Sequence, residues 1–322
     1  MNRAMTLLLV LLLLPALAGA TEARRSDVLA STSQAMDDSL RAALEAARAE
    51  QAPVEAPDRS WLVDTLLYGG ALNYRKSTAK KSAAYGGVYG YFGIDPENLV
   101  ELSYDQIAID FAAGGGTRHQ RDLSLVYTNF SDPGWKLRAG GHVTDTDQAL
   151  SSGGHMGLLG LYRYESGRWE VGFDLYRSSY TESAPHVAAW QVSPRMGLAV
   201  GSPSDGLLWN ELTANAIFFD ADPGLGRSSL FSLEEKLSLT VEKWSGAFSA
   251  WVGDQAYAVR DSGFVVFNLA EQHHGGLALQ VRHQFAEKWS AAARVGRELF
   301  TELGRTDRSR ADSLTFTLGH TF

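Results

Sequence analysis

The chain has 322 residues, 45% of them hydrophobic and 20% charged, with 32 glycines, no cysteine and a formal charge of −8. That length supports one large domain or two small ones. The acidic balance leaves no basic footprint for nucleic acid. The lack of cysteine fits an exported chain that avoids stray disulfides and removes any cysteine cluster.

Residues 1–20 have the three parts of a secretory signal peptide. Arg3 supplies the positive start, an apolar run extends from Thr6 to Leu14, and Ala18-Gly19-Ala20 is a small-x-small cleavage site. The apolar run is shorter than the about 20 residues a membrane helix needs. With no cysteine behind the site, lipoprotein anchoring is excluded. No later stretch is apolar for long enough to span as a helix. A membrane reading must therefore rest on strands, the other structure that satisfies every backbone group in lipid.

Residues 21–59 differ in composition. The stretch that starts at Ser26 and ends at Glu50 is rich in Ala, Leu, Arg and Glu, without Gly or Pro. Leu29, Met36, Leu40, Ala43, Leu44 and Ala47 recur at helical spacing, and Ser26 can serve as the N-cap. Pro53 stops the helix and Pro57 keeps the linker extended. The expectation is a short helix that acts as a tether, a plug or a docking element for a partner.

From residue 60 onward the chain reads as one barrel of about fourteen strands. The predicted strands are 61–74, 82–92, 99–110, 120–129, 135–144, 155–165, 168–178, 187–200, 207–219, 230–242, 247–259, 276–285, 289–299 and 312–322. Each is long enough to cross a bilayer at a tilt. Short turns rich in Asp, Ser, Pro and Gly alternate with longer loops at 75–81, 111–119, 145–154, 179–186, 220–229, 260–275 and 301–311. Such alternation describes an antiparallel meander with one tidy rim and one ragged rim. Tryptophan follows the same parity. Trp61, Trp135, Trp169, Trp209 and Trp289 open odd-numbered strands, and Trp244 sits at a short turn. An aromatic girdle at a lipid–water interface gives a physical reason for this placement.

The last strand is the sharpest. In ADSLTFTLGHTF, Leu314, Phe316, Leu318 and Phe322 share one face, while Ser313, Thr315, Thr317, Gly319 and Thr321 share the other. This ending resembles the C-terminal strand of bacterial outer-membrane β-barrels, with His320 departing from the aromatic or apolar residue that family prefers. The resemblance implies an all-β transmembrane up-and-down barrel in the outer membrane of a Gram-negative bacterium. It also implies contact with outer-membrane lipid, both termini in the periplasm, and Phe322 as an insertion signal for the barrel-assembly machinery.

Period-2 alternation also assigns the lumen face. Lys136 and Arg138 oppose Trp135 and Leu137; Glu170 and Asp174 oppose Trp169 and Phe173; Glu234 and Lys236 oppose Leu233 and Leu237. The same reading turns Glu101, Asp105, Asp122, Arg163, Arg195, Glu211, Arg282, Arg294 and Glu298 inward. Both signs occur on neighbouring strands, which suggests a lattice of ion pairs around a water-filled lumen. The expected function is a channel for small polar solutes. Two alternatives stand beside it: an accessory barrel of an export or assembly system, and a hydrolase at the loop rim built on His155 with Ser151 or Ser152. No catalytic residue, metal site or cofactor is assigned, since no phosphate loop or dinucleotide fingerprint is present.

Overall fold

Alternating apolar and polar positions become strands wherever the sequence predicts them. The computed structural model describes residues 62–322, apart from 96, 113, 148–152, 181–185, 203–205, 269–270 and 303. The expected signal peptide, the helix over 26–50 and Trp61 lie outside the described residues. The strands are β1 (Leu62–Arg75), β2 (Lys80–Gly93), β3 (Asn98–Phe111), β4 (Thr117–Asn129), β5 (Trp135–Thr146), β6 (Gly154–Glu165), β7 (Trp169–Tyr180), β8 (Val187–Ser202), β9 (Gly206–Phe219), β10 (Ser229–Val241) and β11 (Trp244–Gln255). Two short strands follow, β12 (Val259–Arg260) and β13 (Val265–Val266). The chain ends with β14 (Glu271–Ala286), β15 (Trp289–Glu302) and β16 (Arg308–Thr321).

All but β12 and β13 join one closed barrel, each strand antiparallel to its neighbours. The ring closes where β1 meets β16, from Asp64 opposite Thr321 to Arg75 opposite Arg310. Closure leaves no strand edge unpaired, which lipid demands. β12 and β13 pair only with each other, so β11 passes its ladder directly to β14.

The faces are arranged inside out relative to a soluble barrel. Leu159 is 62% exposed and Phe316 60%, and both look outward, as do Leu137, Val143, Phe231, Leu233, Leu277 and Val295. Inward, Arg138 is 3% exposed and Asp174 is fully buried. A continuous apolar exterior around a polar interior suits a wall bathed in lipid, not water.

Trp135, Trp244 and Trp289 lie exposed at the short-turn end. Trp169 opens β7 on the same outward face and donates to Glu165 Oε2 at 3.1 Å. Trp244 stacks on His283 with ring centroids 4.1 Å apart. His320, the departure in the terminal motif, sits edge-on between Trp289 and Phe322, at 4.4 Å from each. Its ring thus extends the aromatic band it was expected to interrupt.

Three sequence assignments are corrected. Arg163 faces outward at the short-turn end, where its guanidinium lies over the Trp135 ring at 5.3 Å and donates to the Pro133 carbonyl at 3.0 Å. Trp209 faces the lumen, because it shares the parity of Glu211 on β9. Its ring covers Gly197, where a Cβ would meet it at 2.1 Å. The strand expected over 247–259 ends at Gln255, since the chain then turns into the barrel.

Candidate functional site

Residues 256–268 read AYAVRDSGFVVFN, too apolar for a solvated loop. They leave β11 at the long-loop end and fold into the lumen. There Ala256, Ala258, Val259, Phe264 and Val266 are buried together with Arg260, Asp261, Ser262 and Asn268. The segment is a miniature hairpin. Val259 pairs Val266, Arg260 pairs Val265, and a tight turn at Asp261–Gly263 joins them. Tyr257, Asp261 and Ser262 hold φ of 51°, 53° and 56°. Each left-handed non-glycine residue costs roughly 1 kcal/mol, so contacts must hold the segment in place.

The barrel wall supplies those contacts. Gln191 on β8 clasps Val259, accepting from its N–H at 2.8 Å and donating to its carbonyl at 2.6 Å. Arg138 donates to the Ser262 carbonyl at 3.0 Å, and Arg195 to the Ser262 hydroxyl at 3.2 Å. Tyr180 donates to the Phe267 carbonyl and Asn268 to Gln120. Arg260 forms ion pairs with Glu298 at 3.2 Å and Glu234 at 3.3 Å. Ring contacts add Phe264 on Tyr89, Tyr257 on Tyr180 and Phe219, and Phe267 stacked on His273.

Behind the hairpin tip lies an ion-pair lattice. Arg138 grips Asp174 with Nη1 at 3.1 and 3.0 Å from its two oxygens. Arg195 lies 3.7 Å from Asp174 and 3.4 Å from Glu211. Lys136 pairs with Glu170 nearer the short-turn end. Glycine makes room for the lattice, since a Cβ at Gly160 would sit 2.3 Å from an Asp174 oxygen. Of the other residues assigned inward, Glu101 accepts from Tyr89 at 2.5 Å, Arg282 donates to Ser290, and Lys236 and Arg294 are buried. Arg163 alone of that set lies on the outer face. The lattice surrounds a filled interior, so the water-filled lumen expected from sequence is replaced in this conformation by a lumen that its own chain occupies.

Asp261, at the hairpin tip, is 3% exposed, and its Oδ2 has no hydrogen-bond partner. Burial lifts its carboxyl to about 7, against the pull of Arg260 and Arg294.

Asp122, His142 and Ser124 form a chain with the order of a hydrolytic triad. His142 Nδ1 is 2.8 Å from Ser124 Oγ, and Nε2 is 3.2 Å from Asp122. Yet Ser124 is 1% exposed, and its hydroxyl reaches the Phe264 carbonyl at 3.4 Å. A nucleophile must meet a substrate carbonyl, and this one is covered by the hairpin, so the three serve as an anchor for it. Of the expected rim candidates, His155 is exposed beside the Gly153 carbonyl, while Ser151 and Ser152 lie outside the described residues. Among the described residues no three His, Cys, Asp or Glu side chains converge on a metal position.

Between the second half of the hairpin and the wall formed by β1–β5 and β14–β16 is a cavity of about 80 Å³ that opens to solvent. A second opening lies at the short-turn end, around Lys243, Arg282 and Lys288.

No family model and no curated protein matches this chain. Among solved structures, a bacterial polysaccharide outer membrane secretin is similar over 80% of this chain and 98% of its own length, at 13% identity and a TM-score of 0.50. The chain has the fold of the outer-membrane β-barrels. A deletion mutant of TodX, a monoaromatic hydrocarbon channel, matches 83% of this chain and 91% of its own at 8% identity and a TM-score of 0.49. A Pseudomonas aeruginosa FadL homologue matches 81% and 90% at 10% identity and 0.48. At such identities the likeness concerns the barrel and not its cargo.

Proposed function

We propose that this outer-membrane barrel is a gated channel for small polar solutes, held closed in this conformation by residues 256–268. One observation carries the reading: a strained, apolar hairpin of the chain fills the lumen and is fastened there by side chains of the wall. A barrel that only needed filling could use bulky wall residues. A hairpin hung on hydrogen bonds and two ion pairs has a second position available, outside the lumen. When it withdraws, Arg138, Asp174, Arg195 and Glu211 line the path, and their two signs favour neither anions nor cations strongly.

The setting is the outer membrane of a Gram-negative cell, with both termini in the periplasm and the long loops outside. Phe322 is the residue read by the assembly machinery, and residues 26–50 are available to a periplasmic partner.

Planar-bilayer conductance of the purified barrel tests the gate. With residues 256–268 replaced by a short Gly-Ser linker, open time rises at least tenfold over the parent. Heat-modifiable migration on gels verifies that both barrels are folded. Equal conductance of the two folded proteins would remove the gate from consideration.

A further inference from the structure

The cavity beside the gate differs chemically from the lattice. Asp105 on β3 and Asp122 on β4 are directly opposed in register and both line it. Two carboxylates in this relation repel unless a proton or a cation lies between them. Asp105 accepts from the Tyr68 hydroxyl, and Asp122 from Thr144 at 2.7 Å and Gln120 at 2.7 Å, beside His142. No Lys or Arg is paired with either among the described residues. The other acids of the cavity are already matched, Glu271 by Lys80 at 2.5 Å and Glu298 by Arg260.

The rest of the lining is apolar and aromatic. Tyr68, Tyr85, Phe264, Phe267 and Phe300 present rings, with Ile107 and Val265 among them. A bare metal ion would use the carboxylates and leave these walls without a role. A neutral aromatic molecule would use the walls and leave the carboxylates opposed. We propose that the cavity binds a small organic ammonium ion with an aromatic or apolar body, its nitrogen between Asp105 and Asp122 and its body against Phe264 and Phe267. The ring faces add a cation–π attraction to the charge pairing. Because two of the rings belong to the gate, the bound ammonium stabilises the closed conformation by mass action. The inference deepens the channel reading by naming the ligand class of the gate's own cavity, and it rests on that reading only for the consequence on gating.

Isothermal titration of the full chain in detergent, at low salt and pH 7.5, tests it with 2-phenylethylammonium, 2-phenylethanol and phenylacetate. The ammonium is expected to bind saturably, one per chain, at least tenfold tighter than the alcohol, with no binding of the carboxylate. Asp105→Asn and Asp122→Asn are each expected to weaken it at least tenfold. Since Asp122 also anchors His142, Asp105→Asn keeps the test valid if the other variant fails to fold. Equal affinity for ammonium and alcohol, unchanged affinity in Asp105→Asn, absence of saturable binding, or displacement by millimolar Ca²⁺ alone would each overturn the proposal. Conductance of the linker variant is unaffected by any of these results, so the gate and its ligand fail separately.

Discussion

Two loops at the same end of the barrel, 220–228 between β9 and β10 and 256–268 between β11 and β14, have opposite fates. The first stays at the rim, with Leu225 packed against the buried cluster that includes Tyr257. Asp222 closes it on itself, its Oδ1 accepting from the N–H groups of Gly224, Leu225 and Gly226 at 3.0, 2.7 and 3.1 Å. Its charges are met at the rim, Asp220 by Arg177 and Arg227 by Asp254 at 2.8 Å. The second has few polar side chains to spend on its own backbone. Its carbonyls and N–H groups are taken up by Gln191, Arg138 and Tyr180 of the wall. A loop therefore remains at the rim when its backbone partners are local. It enters the lumen when its side chains shun water and its partners stand on facing strands.

The comparison breaks most severely at Arg138. Arg138→Ala leaves Asp174 buried with half its ion pairing and frees the Ser262 carbonyl. Removing one member of a buried pair costs about 3–5 kcal/mol. Denaturant unfolding in detergent micelles is expected to show a loss of that size, together with a rise in open time. A fully stable Arg138→Ala barrel would mean that the lattice is solvated.

Gln191→Ala acts on the gate more selectively. It deletes both hydrogen bonds to Val259 without stranding a charge. Each is worth about 1 kcal/mol net, so the open-to-closed ratio should rise roughly thirtyfold in single-channel records. The barrel's own unfolding midpoint should move little, because the ladder of β8 is intact. An unchanged ratio would show that the clasp does not hold the closed state.

The contrast between the loops also marks where sequence reading succeeds. Most of the strands were legible because lipid and lumen impose opposite polarity on alternate residues, a signal as plain in β16 as in β5, whereas the segments 61–74, 82–92 and 247–259 are too mixed to assign a face. Arg163 and Trp209 depart from expectation for separate reasons. On β6 the inward row contains Met156 and Leu158, which the hairpin covers, so no polar row identified the lumen side and the lone Arg was turned in. On β9, Glu211 was turned inward, and that parity already required Trp209 to follow. Sequence reading misses the gate, expecting a loop over 260–275, although the apolar run from Phe264 to Phe267 is a signal that could have found it. What sequence could not supply is the partner of that run, since Gln191, Arg138 and Ser124 lie on strands far away in the chain.

Acid should strengthen the second loop's hold and leave the first untouched. Asp261 carries a carboxyl lifted by burial to about 7 when docked, and returns to the ordinary value near 4 in water. The docked state thus keeps a proton that the withdrawn state releases. Its stability is complete below the ordinary value and declines as pH rises through about 7. Arg260 and Arg294 oppose the lift, as does Lys236, while Glu234 reinforces it. Between pH 5 and pH 7 the open-to-closed ratio is expected to climb by at most roughly tenfold per unit, the limit for one proton. Asp261→Asn should flatten the profile and keep the gate docked. A slope that persists in Asp261→Asn would assign the titration to a group other than Asp261.

The smallest effect is expected at the loop that stays at the rim. Asp222→Ala removes the acceptor for three backbone N–H groups, but these groups lie in solvent and water replaces it. Loss of an exposed cap of this kind costs about 1 kcal/mol or less, and it acts on loop order alone. Hydrogen exchange should quicken at Gly224, Leu225 and Gly226, while conductance, its pH profile and the unfolding midpoint stay at parental values. The paired experiment sharpens the rule drawn from the two loops. If Asp222→Ala also changed open time, the outer loop would be coupled to the gate, and the Arg227–Asp254 bridge onto β11 would be the route, since β11 leads directly into the hairpin.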